Sequence, residues 1–185
     1  MPEALNFLWS ASALPESLAL QQNAVTVTTV KHPQHPGQDE PQGNQVAVAE
    51  PIVANGRHVW VITILESWRN WGDGMLIGVM DATVDFSDAK GVKAWGLLPM
   101  TGMVHTTNNA SHAGQKGKQV CEPLDGASNG AVVKVQVDVD RKTLSFSVNG
   151  GEFVDAGVSL TAQVRPYVLM CFPGDKVSLE SAEAP

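Results

Sequence analysis

Residues 133–140 read Val-Lys-Val-Gln-Val-Asp-Val-Asp, and a helix cannot bury that pattern on one side. In an extended chain it puts Val133, Val135, Val137 and Val139 on one face and Lys134, Gln136, Asp138 and Asp140 on the other. After Arg141-Lys142-Thr143 the alternation resumes, with Leu144, Phe146 and Val148 set against Ser145, Ser147 and Asn149. Two amphipathic strands joined by a tight turn around residues 140–142 are therefore expected. Asn149-Gly150-Gly151 tolerates positive φ and lets the chain turn again before Glu152-Phe153-Val154.

The same period of two runs through most of the chain. Further strands are expected at residues 25–30, 46–49, 58–65, 75–80, 94–98, 103–106, 166–172 and 177–179. They are punctuated by Asn55-Gly56, Gly72-Asp73-Gly74, Asp125-Gly126 and Pro173-Gly174-Asp175. Several, including 59–65, are apolar on both faces, which suits inner strands of a layered structure. The fold class expected is all-β, an antiparallel sandwich of two sheets. With 185 residues, 43% hydrophobic and 17% charged, the chain is long enough for one domain with a real core. No internal repeat suggests a propeller or solenoid.

Charge narrows the function classes. Nineteen acidic against twelve basic residues give a formal charge of -7, so a stripe that tracks phosphates is not available, and nucleic acid and membrane are not the expected partners. No apolar run approaches the roughly 18–20 residues that span a bilayer. No Lys or Arg precedes Lys31, so the positive start of a signal peptide is missing and a cytoplasmic or nuclear address is expected. In that setting Asn109-Ala110-Ser111 is a chance glycosylation triplet, and Cys121 and Cys171 are expected as reduced thiols. The proline-rich stretch 31–45 holds no large apolar residue and is expected to be a mobile loop. Residues 108–119 read as a polar surface excursion and 181–185 as a tail, leaving a single domain over 1–180.

Motifs for chemistry are weak. Gly126-Ala127-Ser128-Asn129-Gly130 fits the Gly-x-Ser-x-Gly pattern, but a loop leads in and a strand leads out, the reverse of a nucleophile elbow. Gly117-Lys118 lacks both the earlier glycine and the following Ser or Thr of a phosphate loop. His32 and His35 lie on proline-rich backbone with no third ligand nearby, and Asp138 and Asp140 lie on the wet face of a hairpin. Trp68-Arg69-Asn70-Trp71-Gly72-Asp73-Gly74 is different, because two tryptophans occupy a polar, glycine-containing connection. Trp and Arg are the residue types that most often anchor interfaces, although either ring could instead fold back over the sandwich edge. His105, Asn108 and Asn109 are candidates for the same or an adjacent rim.

Larger segments follow in a telling order. Phe7-Leu8-Trp9 comes first, then 18–20 and Val25-Thr26-Val27, then Gly56-Arg57-His58-Val59-Trp60-Val61-Ile62. Leu76-Ile77-Gly78-Val79, Ala94-Trp95-Gly96-Leu97, the hairpin from Asp138 to Gly150, and Val164-Arg165-Pro166-Tyr167-Val168 complete the series. Over nearly the whole chain this resembles the SPRY domain, the core of the B30.2 family. The matching pieces are its Phe-x-Trp start, its Gly-Lys-His-Tyr-Trp-Glu-Val signature, its Ile-Gly-Val and Ser-Trp-Gly-Leu strands, its hairpin and its closing Leu-Tyr-Pro strand. Val59 and Val61 replace the signature's Tyr and Glu, and the Leu-Asp-Pro-x-Thr-Ala element of PRY-containing members is not visible. Nothing resembles a RING, B-box, coiled coil or suppressor-of-cytokine-signalling box, so an adaptor role would draw on a partner or a longer parent.

The resemblance implies a bent two-sheet sandwich whose work is binding through loops at one end, with Trp60, Trp95 and Phe146 as packing residues. The resulting expectation is a non-catalytic protein-interaction module, a scaffold or substrate-recognition adaptor, with no cofactor and no metal. Its ligand is expected among loops 68–74, 106–118 and 126–130, with Trp68, Arg69, Asn70, Trp71, Asp73, His105, Asn108 and Asn109 as partner-binding residues. The partner expected is a protein or an acidic or amide-rich peptide, and the chain itself a monomer. The alternative is a lectin-like sandwich that holds sugars through loop Trp, Asn and Asp, with Asp73, Asn108 and Asn109 as calcium ligands.

Overall fold

A computed structural model of the chain describes residues 5–10, 18–22, 26–29, 45–83, 92–108 and 115–182. In chain order the strands are β1 (Leu8–Trp9), β2 (Leu18–Gln21), β3 (Thr26–Thr29), β4 (Gln45–Glu50), β5 (Arg57–Glu66), β6 (Leu76–Asp81) and β7 (Ala94–Leu98). They continue with β8 (Met103–Thr107), β9 (Gln115–Gln119), β10 (Val132–Asp138), β11 (Thr143–Val148), β12 (Val154–Asp155), β13 (Val164–Met170) and β14 (Lys176–Ala182). Two seven-stranded antiparallel sheets result, ordered β1-β4-β13-β6-β7-β8-β9 and β12-β11-β10-β5-β14-β3-β2. The expected sandwich is what the chain forms.

The hairpin of β10 and β11 pairs Val133 with Val148 through to Asp138 with Thr143. Its valines 133, 135, 137 and 139 are all buried, as the alternation requires. They meet Trp60, Ile62 and Ile64 of β5 and, across the sandwich, Ile77, Val79, Trp95, Leu97, Val168 and Met170 of the first sheet. Phe7 packs on Trp60 with ring centroids 5.2 Å apart, and Trp60, Trp95 and Phe146 all lie in this core. β13 is buried on both sides. Val168 and Met170 enter the inter-sheet core, while Tyr167 and Leu169 join Val48, Leu76, Met80 and Phe172 in a second apolar cluster on the sheet's outer face.

Several expectations need correction. Residues 115–119, read as part of a polar excursion, form edge strand β9, pairing Lys116 with His105 and Gln115 with Thr106. Every β9 side chain is exposed, so no apolar alternation marks it; backbone pairing alone makes it a strand. A Cβ on Gly117 would sit 3.1 Å from the Val104 carbonyl oxygen, so glycine suits this close strand approach. Ser181 and Ala182 belong to β14 rather than to a tail, and the Ser181 hydroxyl accepts the Phe7 N–H at 2.8 Å. Alternation puts Asp138 on a wet face, yet its side chain is only 12% exposed because Arg57 at 3.5 Å and Arg141 at 3.8 Å close over it. Lys142, with φ 57°, carries the left-handed turn of the hairpin. The proposed loop at 31–45 lies outside the described residues except for Gln45, which opens β4. Neither Cys121 nor Cys171 is in a disulfide, and burial pushes both thiols up, Cys171 to about 12.

Candidate functional site

Antiparallel strands send successive connections to alternate ends of a sandwich, so register decides which loops meet. Glu66 at the end of β5 lies beside Lys176 at the start of β14, Leu76 at the start of β6 pairs with Leu169 near the end of β13, and Leu98 pairs with Met103. Connections 67–75, 99–102, 120–131 and 171–175 therefore share one end. The described residues that follow β8 lie at the other, because Thr107 pairs with Ala94 and Ala94 adjoins Met80.

The first of these connections is built tightly. Ser67 is extended, and Trp68–Asn70 then forms a single 3-10 turn whose last two residues are left-handed, Arg69 at φ 50° and Asn70 at φ 60°. Non-glycine residues adopt this region reluctantly, so neighbouring bonds must hold it. Asn70 supplies them: its Nδ2 donates to the Gly126 carbonyl at 2.6 Å, and its Oδ1 accepts the Asn129 N–H at 2.6 Å. In return Asn129 Oδ1 accepts the Ser67 N–H at 2.8 Å, and the Ser67 and Ser128 hydroxyls lie 2.6 Å apart. A Cβ on Gly72, which has φ 65°, would press to 2.8 Å from Pro99, so the exit of the loop also packs closely.

Asp175 locks the loop from a third side. Its carboxylate accepts the Trp68 N–H at 3.0 Å through one oxygen and the Phe172 N–H at 3.1 Å through the other. Those two residues stack in parallel, centroids 4.3 Å apart and planes within 7°. Asp175 is 0% exposed, and burial raises its pKa to about 6 against the opposing pull of its N–H donors; nearby Asp73 pushes it the same way as burial.

The Arg69 guanidinium lies over the Trp68 ring, 4.3 Å from its centroid. With Phe172 stacked at the same separation, the indole is the middle layer of three and both its faces are occupied. Trp71 meets Trp68 edge-on at 5.4 Å and 89°, lies 5.6 Å from the guanidinium, and remains 36% exposed. The result is a small shelf in which one cation lies over both indoles, held by bonds made to the backbone and to Asn70.

The eight sequence candidates separate accordingly. Trp68, Arg69, Asn70, Trp71 and Asp73 come together, but in different roles. Arg69 and Trp71 face outward, Trp68 is a spacer, Asn70 ties down the backbone, and Asp73 Oδ1 accepts the Gly74 N–H at 2.8 Å within its own turn. His105 lies mid-strand in β8, opposite Gly96 and Lys116, and Asn108 lies at the far end of the sandwich. Asn109 is outside the described residues. Sequence reading missed Phe172, Asp175, Ser67 and Asn129. Ser128, the serine of the hydrolase-like pattern, is 0% exposed and bonds the Ser67 hydroxyl and Asn70 Oδ1 with no imidazole among those partners. Among the described residues no group of three His, Cys, Asp or Glu side chains could hold a metal ion.

No family model matches the chain, and no curated protein matches it. Solved structures do. The SPRY domain of human HERC1 superposes with a TM-score of 0.69 at 20% sequence identity, covering 96% of this chain and 99% of that one. The PSpry domain of TRIM65 gives a TM-score of 0.60 at 13% identity, covering 97% of this chain and 90% of that one. The fold of this chain is the SPRY sandwich.

Proposed function

We propose that this SPRY-fold sandwich is a non-catalytic protein-interaction module that binds a peptide segment or protein surface through the Trp68 end. The observation that carries the reading is the shelf of Arg69 and Trp71, exposed at its outer side yet fixed from below by Asn70, Asp175 and Phe172. An exposed indole and guanidinium that are already ordered lose little side-chain freedom on binding, which is what an interface anchor requires. Likeness to the HERC1 and TRIM65 domains supports the reading through fold alone. We place the module in the cytoplasm or nucleus as a monomeric scaffold or substrate-recognition adaptor for a partner that is acidic or amide-rich.

The lectin alternative is weakened by geometry. Asp73 and Asn108, two of its three calcium candidates, sit at opposite ends of the sandwich. Affinity capture from native cell extract tests the interaction reading, using wild type, Trp71→Ala and a far-end control, Asn108→Ala. A protein retained by wild type and Asn108→Ala but lost from Trp71→Ala supports it. Identical captures from all three, or retention of glycoconjugates only, would refute it.

A further inference from the structure

Resting on that reading, we propose that the shelf recognises a peptide carrying a carboxylate side chain close to an apolar ring. The carboxylate sits on Arg69 and the ring on Trp71. The chain has four arginines, and three of them meet carboxylates: Arg57 and Arg141 on Asp138, Arg165 on Glu50 at 3.0 Å. Arg69 is the exception, lying on an indole with no ion pair to a carboxylate among the described residues. The acids of its own loop cluster are committed elsewhere, Asp73 to the Gly74 N–H and Asp175 to the Trp68 and Phe172 N–H groups. In a chain of charge -7, an exposed guanidinium left without a carboxylate and flattened on a ring keeps its N–H edge for an incoming acid.

Geometry sets the rest of the pattern. Both faces of Trp68 are taken, so the indole open to a ligand ring is Trp71. The guanidinium lies over one face of Trp71 as well, 5.6 Å from its centroid, so a ligand ring packs on the part of that indole left exposed, next to the acid on Arg69. One cation, on a loop that also carries Asp73, matches a single carboxylate charge better than a phosphate dianion.

The test is selection from a random heptapeptide display library on the full chain, using wild type, Arg69→Gln and Trp71→Ala after equal thermal unfolding is confirmed. On wild type, enriched peptides should carry Asp or Glu together with Phe, Tyr, Trp or Pro. On Arg69→Gln the acid preference should vanish while the ring preference stays, and on Trp71→Ala the reverse. Changing Glu to Gln in a selected peptide should weaken its binding at least about tenfold to wild type and little to Arg69→Gln. Peptides that depend on Trp71 but show no acid preference, or tighter binding with phosphoserine in place of Glu, would overturn this inference and leave the interaction reading standing. No enrichment at all, or enrichment indifferent to both substitutions, would overturn both.

Discussion

Replacing Asp175 by asparagine removes a buried charge while keeping the side chain's shape, and it isolates what that charge does. The carboxylate is fully enclosed, faces Asp73 and Cys171, and is steadied by the Trp68 and Phe172 N–H donors. Its folded pKa is about 6, above the ordinary aspartate value that holds when the chain unfolds. Between the two values the folded state binds more protons than the unfolded one, so this group's contribution to stability falls as pH rises toward 6 and is level above. A shift of two units corresponds to about 3 kcal/mol at most. The substituted side chain does not titrate; it retains one acceptor and turns an amide N–H2 toward the other donor, a loss of about 1–3 kcal/mol that is independent of pH. Urea unfolding of both proteins from pH 4 to pH 8 at fixed ionic strength cancels the other titrating groups. The stability of Asp175→Asn relative to wild type should climb by about 1–3 kcal/mol across that range, most of it between pH 4 and 6.5. Parallel curves would refute the argument that Asp175 is charged and enclosed at neutral pH.

Phe146→Ala should cost about 3–5 kcal/mol in denaturant unfolding, because the ring is buried beside Val135 and Val154; a loss under about 1 kcal/mol would contradict its placement. Trp68→Ala should cost about 2–4 kcal/mol by emptying the middle of a three-layer stack, whereas Trp71→Ala should cost under about 1 kcal/mol. Equal losses for the two tryptophans would show that they do not divide the work in that way. Asn70→Ala should cost about 2–3 kcal/mol through two lost bonds and a strained φ, Asn70→Gly less, and both should speed hydrogen exchange at the Asn129 amide. Unchanged exchange there would rule out the knitting role given to Asn70.

What the sequence revealed and what it hid follow from what each element buries. The β10 and β11 hairpin was legible because every second residue enters the core, and β7 was placed at its observed boundaries because Ala94–Leu98 is a short apolar run buried almost throughout. β9 was hidden because its five residues bury nothing, and β12 because two residues carry no periodicity. In the site, Trp68 and Trp71 stood out as large rings in a polar connection. Asp175 did not, since its partner Trp68 lies 107 positions away and only closure of β13 and β14 onto β5 and β6 brings them together. Grouping Asn108 with the tryptophans failed on direction: β6, β7 and β8 each reverse the chain, and three reversals lead to the opposite end.

The way the Trp68 loop is fastened also bears on how such a surface can diversify. Its anchors grip main-chain groups and the Asn70 amide, not the guanidinium of Arg69 or the indole of Trp71. Positions 69 and 71 therefore behave as two interchangeable letters on a fixed frame: a new side chain at either alters what is displayed without redrawing the loop beneath. The alphabet at 69 is restricted, because a left-handed backbone disfavours β-branched residues, while 71 takes any residue but proline, since its N–H donates to the Trp68 carbonyl at 3.0 Å. A small library at these two sites would rewrite specificity while leaving the sandwich untouched.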